Sequence, residues 1–125
     1  MKRFILLVMM ALASVPMQAQ MSAVFAWSSF FDGNRPYVET YLQVDAWTVQ
    51  FAELQAGVYG ATVEVTLVVR QGDSVCYLKK YDLHSPTVAR LDELDFSFLD
   101  VQRFGLGNGI YDMEMTLRDK NADAE

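Results

Sequence analysis

Near the end of the chain, Leu106-Gly107-Asn108-Gly109-Ile110-Tyr111 runs directly into an alternating stretch that continues to Asp119. L-x-x-G-x-Y before a strand is the pattern of a tyrosine corner, in which the ring folds back and its hydroxyl bonds to backbone upstream. Gly107, Asn108 and Gly109 tolerate positive φ, which the turn is expected to use. Gly109 and Tyr111 are therefore assigned structural roles, with Tyr111 mostly buried and its hydroxyl on the backbone of residues 98–104. A tyrosine corner belongs to a late strand of an immunoglobulin-like or fibronectin-like sandwich, and one more strand normally follows it. Arg118 to Glu125 is polar and charged without apolar alternation. The expectation is a domain lacking its closing strand, with an unpaired edge on the Tyr111–Leu117 strand that self-associates or takes a strand from a partner protein or from an adjacent domain of a longer chain.

The rest of the sequence agrees with an all-β domain. Strand signals alternate with Gly, Pro, Asn and Asp punctuation every 8 to 12 residues, the spacing of a sandwich or barrel. Ser22 to Phe31 reads as a first strand, closed by the turn cluster Asp32-Gly33-Asn34-Arg35-Pro36. In Tyr37 to Asp45, Val38, Thr40, Leu42 and Val44 face one way and Tyr37, Glu39, Tyr41, Gln43 and Asp45 the other, as in a half-buried strand. Trp47 to Leu54 reads as a shorter strand with Trp47, Val49 and Phe51 inward. Gly60 to Arg70 buries Ala61, Val63, Val65, Leu67 and Val69, and the turn Gln71-Gly72-Asp73-Ser74 joins it to Val75–Leu83 in a hairpin. His84-Ser85-Pro86 breaks the chain, and Thr87 to Leu94 gives no clear pattern. Asp95 to Leu99 is strand-like, and Gln102 to Leu106 leads into the corner. About seven antiparallel strands result.

The N-terminus reads as an export signal. Met1-Lys2-Arg3 is basic, Phe4 to Val15 apolar, and Pro16 to Gln20 a polar, small-residue exit. The apolar run of 12 residues falls short of the roughly 20 that a spanning helix needs. Residues 1–20 are assigned as signal peptide and 21–125 as a single sandwich domain, exported to the periplasm, cell surface or medium. With Lys2 and Arg3 removed, 8 basic side chains stand against 16 acidic ones, a formal charge of −8. That balance argues against nucleic acid and against anionic membrane surfaces as partners.

Catalytic chemistry is thinly represented. His84 is the only histidine and Cys76 the only cysteine. Neither stands in a spacing that builds a zinc site, and no serine lies in a nucleophile-elbow context. Cys76, within the apolar run Val75-Cys76-Tyr77-Leu78, is read as a buried inert thiol. Asp92, Glu93, Asp95 and Asp100 offer oxygen ligands but lack the glycine grammar of a calcium loop. No catalytic residue, metal or cofactor is assigned, and the chain is read as a non-enzyme. Trp27 and Trp47, each in register with apolar neighbours, are placed in the core. The candidate ligand-binding residues are Tyr37, Glu39 and Tyr41, an aromatic strand face with polar neighbours that either packs under a neighbouring domain or the other sheet, the reading preferred, or grips sugars or peptides.

Four segments carry a family resemblance: Ser22-Ala23-Val24-Phe25, Pro36 to Leu42, Tyr59 through Gln71-Gly72-Asp73-Ser74, and Gln102-Arg103-Phe104 with the Gly-Ile-Tyr turn. Together they resemble the N-terminal region of exported, uncharacterised Bacteroidota proteins, some of them GWxTD-domain proteins. The GWxTD signature is not among these residues, so the resemblance carries no functional residue. It implies an exported β-sandwich that forms the first part of a longer protein. The expected function is a non-enzymatic structural or protein-binding module, with a glycan-binding module built on Tyr37 and Tyr41 as the alternative.

Overall fold

A computed structural model describes residues 20–122, so the proposed signal peptide lies outside the described residues apart from Gln20. Two three-stranded antiparallel sheets face each other. One has the order β1 (Ala23–Phe31), β2 (Pro36–Asp45), β7 (Ser97–Gly105); the other has β6 (Ser74–His84), β5 (Thr62–Gln71), β8 (Asp112–Asp119). A 3-10 turn (Ala46–Thr48) and the small β3–β4 hairpin (Ala52–Gln55, Val58–Gly60) connect β2 to β5. In the lettering of immunoglobulin-like sandwiches, β1-β2-β7 occupies A-B-E and β6-β5-β8 occupies C′-C-F. The sandwich read from the sequence is the fold found, with eight strands among the described residues.

Strict alternation explains why β2 and β5 are the central strands. Val63, Val65, Leu67 and Val69 are fully buried, facing Leu42, Val44 and Val38 of β2 across the sandwich, while Phe98 and Phe104 close the core from β7. Each of these side chains contributes roughly 1.5–3 kcal/mol by leaving water. The β5–β6 hairpin turns on two residues between Gln71 and Ser74. Gly72 takes φ +60° as the first of them, the glycine position of a type II′ turn.

Several local expectations are corrected. The residues read as two pieces, Asp95 to Leu99 and Gln102 to Leu106, form one continuous β7. Trp47 sits in the 3-10 turn and is 58% exposed, whereas Val49 and Phe51 beyond it are buried as expected. Cys76 is exposed as well. Val69 pairs with Tyr77 and Arg70 with Val75, so Cys76 is the extra residue of a β-bulge, and a bulge turns its side chain out of the regular alternation.

The corner differs in its details. Tyr111 is half-buried, and its hydroxyl donates to the carbonyl of Gly107 at 2.8 Å, within its own loop rather than to residues 98–104. Neither Gly107, Asn108 nor Gly109 has positive φ. Glycine at 109 answers a close approach instead, since a Cβ there would lie 3.3 Å from the Tyr111 ring and 2.7 Å from Gln71 Nε2.

Candidate functional site

The sequence-derived platform lies on the outer face of the β1-β2-β7 sheet. Period-two alternation sends Tyr37, Glu39 and Tyr41 to that face, and all three are half-buried. Glu39 is its hub: Tyr41 donates a 2.6 Å hydrogen bond to Oε1, and the Arg103 guanidinium, directly across on β7, donates to Oε2. The Tyr41 hydroxyl and then Arg103 hold the Glu39 carboxyl below its ordinary value, and the bond to Glu39 pushes the Tyr41 phenol up. Tyr37 stacks on Phe30 at 5.3 Å and lies under Arg103. The two tyrosines are four residues apart on one strand, about 13 Å at the rise of a β-strand. The face therefore offers two separate rings with a charged group between them.

The two lateral sides of the sandwich are built differently. Between β6 and β7 the sheets are latched. Tyr77 stacks on Phe104 at 4.2 Å, Tyr81 donates to Asp100 Oδ2 at 2.5 Å, and Lys79 donates to Gln102 Oε1 at 2.6 Å. Gln102 Nε2 also donates to Asp100, at 3.1 Å. Burial, then the bond to Asp100, pushes the Tyr81 phenol well above its ordinary value. This latch left no mark in the sequence, because its members come from two strands separated by a long irregular connection.

Between β1 and β8 the sandwich is open. A cleft of about 410 Å³ runs there, lined among others by Trp27, Val38, Leu106, Tyr111 and Met113. Trp27 pairs with Thr40 on β2 and shares its inward face, yet it is 57% exposed. The expectation that Trp27 belongs to the core has the correct face and the wrong burial, because nothing among the described residues covers it. Phe25, Met113 and Met115 reach the same side and are half-buried against Val38, Leu67, Val69 and Phe104.

β8 has β5 as its only ladder partner among the described residues. The unpaired edge expected for Tyr111–Leu117 is thus present. Its outward side chains are Asp112, Glu114, Thr116 and Arg118.

The residues capable of chemistry stand apart. His84 Nδ1 lies 3.1 Å from the Thr62 hydroxyl at the exposed end of β6. Asp92 and Glu93 pair with Arg90, while Asp100 belongs to the latch. No group of three metal-ligating side chains converges among the described residues.

The fold and the open side together define a class, an immunoglobulin-like sandwich with one accessible lateral cleft. Comparison with known proteins goes no further: no family model, no curated protein and no solved structure matches this chain.

Proposed function

We propose that this chain is an exported, non-catalytic protein-binding module whose contact surface is the open side between β1 and β8. One observation carries the reading: an inward-facing tryptophan, Trp27, stands uncovered beside a strand edge that lacks a neighbour among the described residues. Exposed apolar surface of this kind marks interaction sites, and tryptophan is enriched where binding energy concentrates. The basic and apolar N-terminus supports export. The resemblance to the N-terminal regions of exported proteins agrees with it.

Site-specific photo-crosslinking in the producing cells tests the proposal. A photoreactive residue at Ser29, which lines the cleft, is expected to give a discrete protein adduct. The same group at Asp73, on the tip of the β5–β6 hairpin, is expected to give none. Equal labelling from both positions, or none from Ser29, overturns it.

The Tyr37–Glu39–Tyr41 face favours a second reading, glycan binding. Glu39 is already fixed by two partners, so it is pre-oriented as an acceptor for sugar hydroxyls beside either ring. Binding on a glycan array that disappears in Tyr41→Ala supports this reading, and silence across the array removes it.

A further inference from the structure

The backbone of β8 specifies what the open side receives. Lys120 N–H donates to the Thr62 carbonyl at 3.0 Å, and the β5–β8 register runs without a shift from Val63↔Asp119 to Arg70↔Asp112. In an antiparallel ladder the residues of a bonded pair exchange both of their hydrogen bonds, and the next pair exchanges none. Even-numbered residues of β8 therefore direct N–H and C=O at β5. Met113, Met115 and Leu117 direct theirs away from it, to the open side. Beyond Leu117, Asp119 Oδ2 accepts from Gln50 N–H at 2.7 Å, and Asn121 donates to the Gln50 carbonyl at 2.9 Å, so that end is occupied. At the other end lies the loop closed by Tyr111 on Gly107. Among the described residues, the free window is Met113 to Leu117.

The same three residues point their side chains inward and are half-buried. A strand added beside β8 places the residues opposite Met113, Met115 and Leu117 on that inward face, over the cleft and Trp27. The residues between them, beside Glu114 and Thr116, face water. Asp112 and Glu114 are exposed on that outer side, Glu114 already paired with Arg70 at 3.0 Å, so polar side chains, or a basic one beside Asp112, fit there; opposite charges across a ladder are favourable.

The other edges are less suited. β6 carries the bulge at Cys76 and Lys79 and Lys80, devices that discourage pairing. It is also latched to β7. The first strand of such a sandwich is a sheet edge by design, whereas the strand bearing the tyrosine corner normally has a neighbour on each side.

We infer that β8 accepts an extended linear segment of a partner protein as an antiparallel strand. That segment carries apolar side chains at three alternate positions and polar or basic ones between them. This rests on the protein-binding reading above and adds its mode: main-chain hydrogen bonds supply affinity, and the cleft supplies side-chain selectivity.

The probe is a synthetic seven-residue peptide alternating valine with lysine and threonine, compared with one in which serine replaces each valine. Amide exchange is followed by NMR on the whole protein. The valine peptide is expected to slow exchange at Met113, Met115 and Leu117 by about tenfold or more. Glu114 and Thr116, already bonded to β5, stay unchanged, and Trp27 emission shifts to the blue. The serine peptide does neither. N-methylation of the valine amides, which face β8, abolishes the effect, while N-methylation of the intervening amides preserves it.

Peptide binding without protection of the three amides overturns strand addition and leaves the protein-binding surface standing. Protection that appears without peptide and grows with protein concentration overturns the partner segment in favour of a second copy. Absence of any peptide effect, with Ser29 still crosslinking, overturns strand addition alone.

Discussion

Trp27 and Thr40 are paired across β1 and β2 and point to the same face of the sheet, yet Thr40 is 2% exposed and Trp27 57%. One step along a ladder separates the core from water. The cause is the opposite sheet: β5 lies over β2, whereas nothing among the described residues beyond β8 lies over β1.

That difference is measurable. Trp27→Ala is expected to change stability by only about 0.5 kcal/mol, the usual range for exposed positions. Leu67→Ala, at a fully buried site, is expected to cost about 2–5 kcal/mol through lost transfer energy and the cavity left behind. Urea denaturation of the two variants checks the contrast. A large loss for Trp27→Ala would show that its ring is covered.

The corner contributes less than its sequence pattern suggests. The Tyr111 hydroxyl bonds within its own loop and at the surface, so Tyr111→Phe is expected to cost about 0.5–1 kcal/mol, with no buried partner left unpaired. Gly109→Ala is expected to destabilise further, since the new Cβ would lie 3.3 Å from the Tyr111 ring, whose hydroxyl is bonded to Gly107. Thermal melts of the two variants and their double mutant test this: the effects are expected to be non-additive, because the two residues are in contact.

The latch gives an alkaline signature. Tyr81→Phe removes a hydrogen bond to a carboxylate and is expected to cost about 1–2 kcal/mol at neutral pH. Burial and Asp100 raise the Tyr81 pKa in the folded state above its ordinary value of 10.0. Its contribution is thus complete below that value and is lost as pH rises toward the folded one. The stability gap between the parent and Tyr81→Phe should narrow above pH 10.0, as followed by denaturant midpoints across an alkaline series.

Acid acts on the opposite face. Hydrogen bonds from Tyr41 and Arg103 hold the Glu39 carboxyl below its ordinary value of 4.5. Its contribution is therefore complete above that value and lost as pH falls through the lowered one. Melting temperature is expected to decline below pH 4.5, and less steeply in Glu39→Gln.

Cys76 supplies a direct test of the bulge. Being exposed, its thiol is expected to react fully with a disulfide reagent in the folded protein. A thiol that reacts only in denaturant would restore the buried assignment.

The alternation in β2 and β5 was legible because a central strand is covered on its inner face along its whole length, so side-chain polarity records burial residue by residue. The platform residues Tyr37, Glu39 and Tyr41 were legible as sharing a face for the same reason. Their coupling through Arg103 was not, because that partner lies 64 residues away on β7. Trp47 and Cys76 were misplaced for local reasons: a 3-10 turn and a bulge each break the period of two on which those readings depended.

By itself, then, the sequence determined an all-β sandwich, the inward set of its central strands and the position of its tyrosine corner, all consequences of local periodicity and turn chemistry. The tertiary structure alone decided which sides of the sandwich are closed. Closure depends on what the facing sheet supplies: Tyr81 meets Asp100 on one side, and among the described residues Trp27 meets no covering strand on the other, a relation between distant segments that no local pattern encodes.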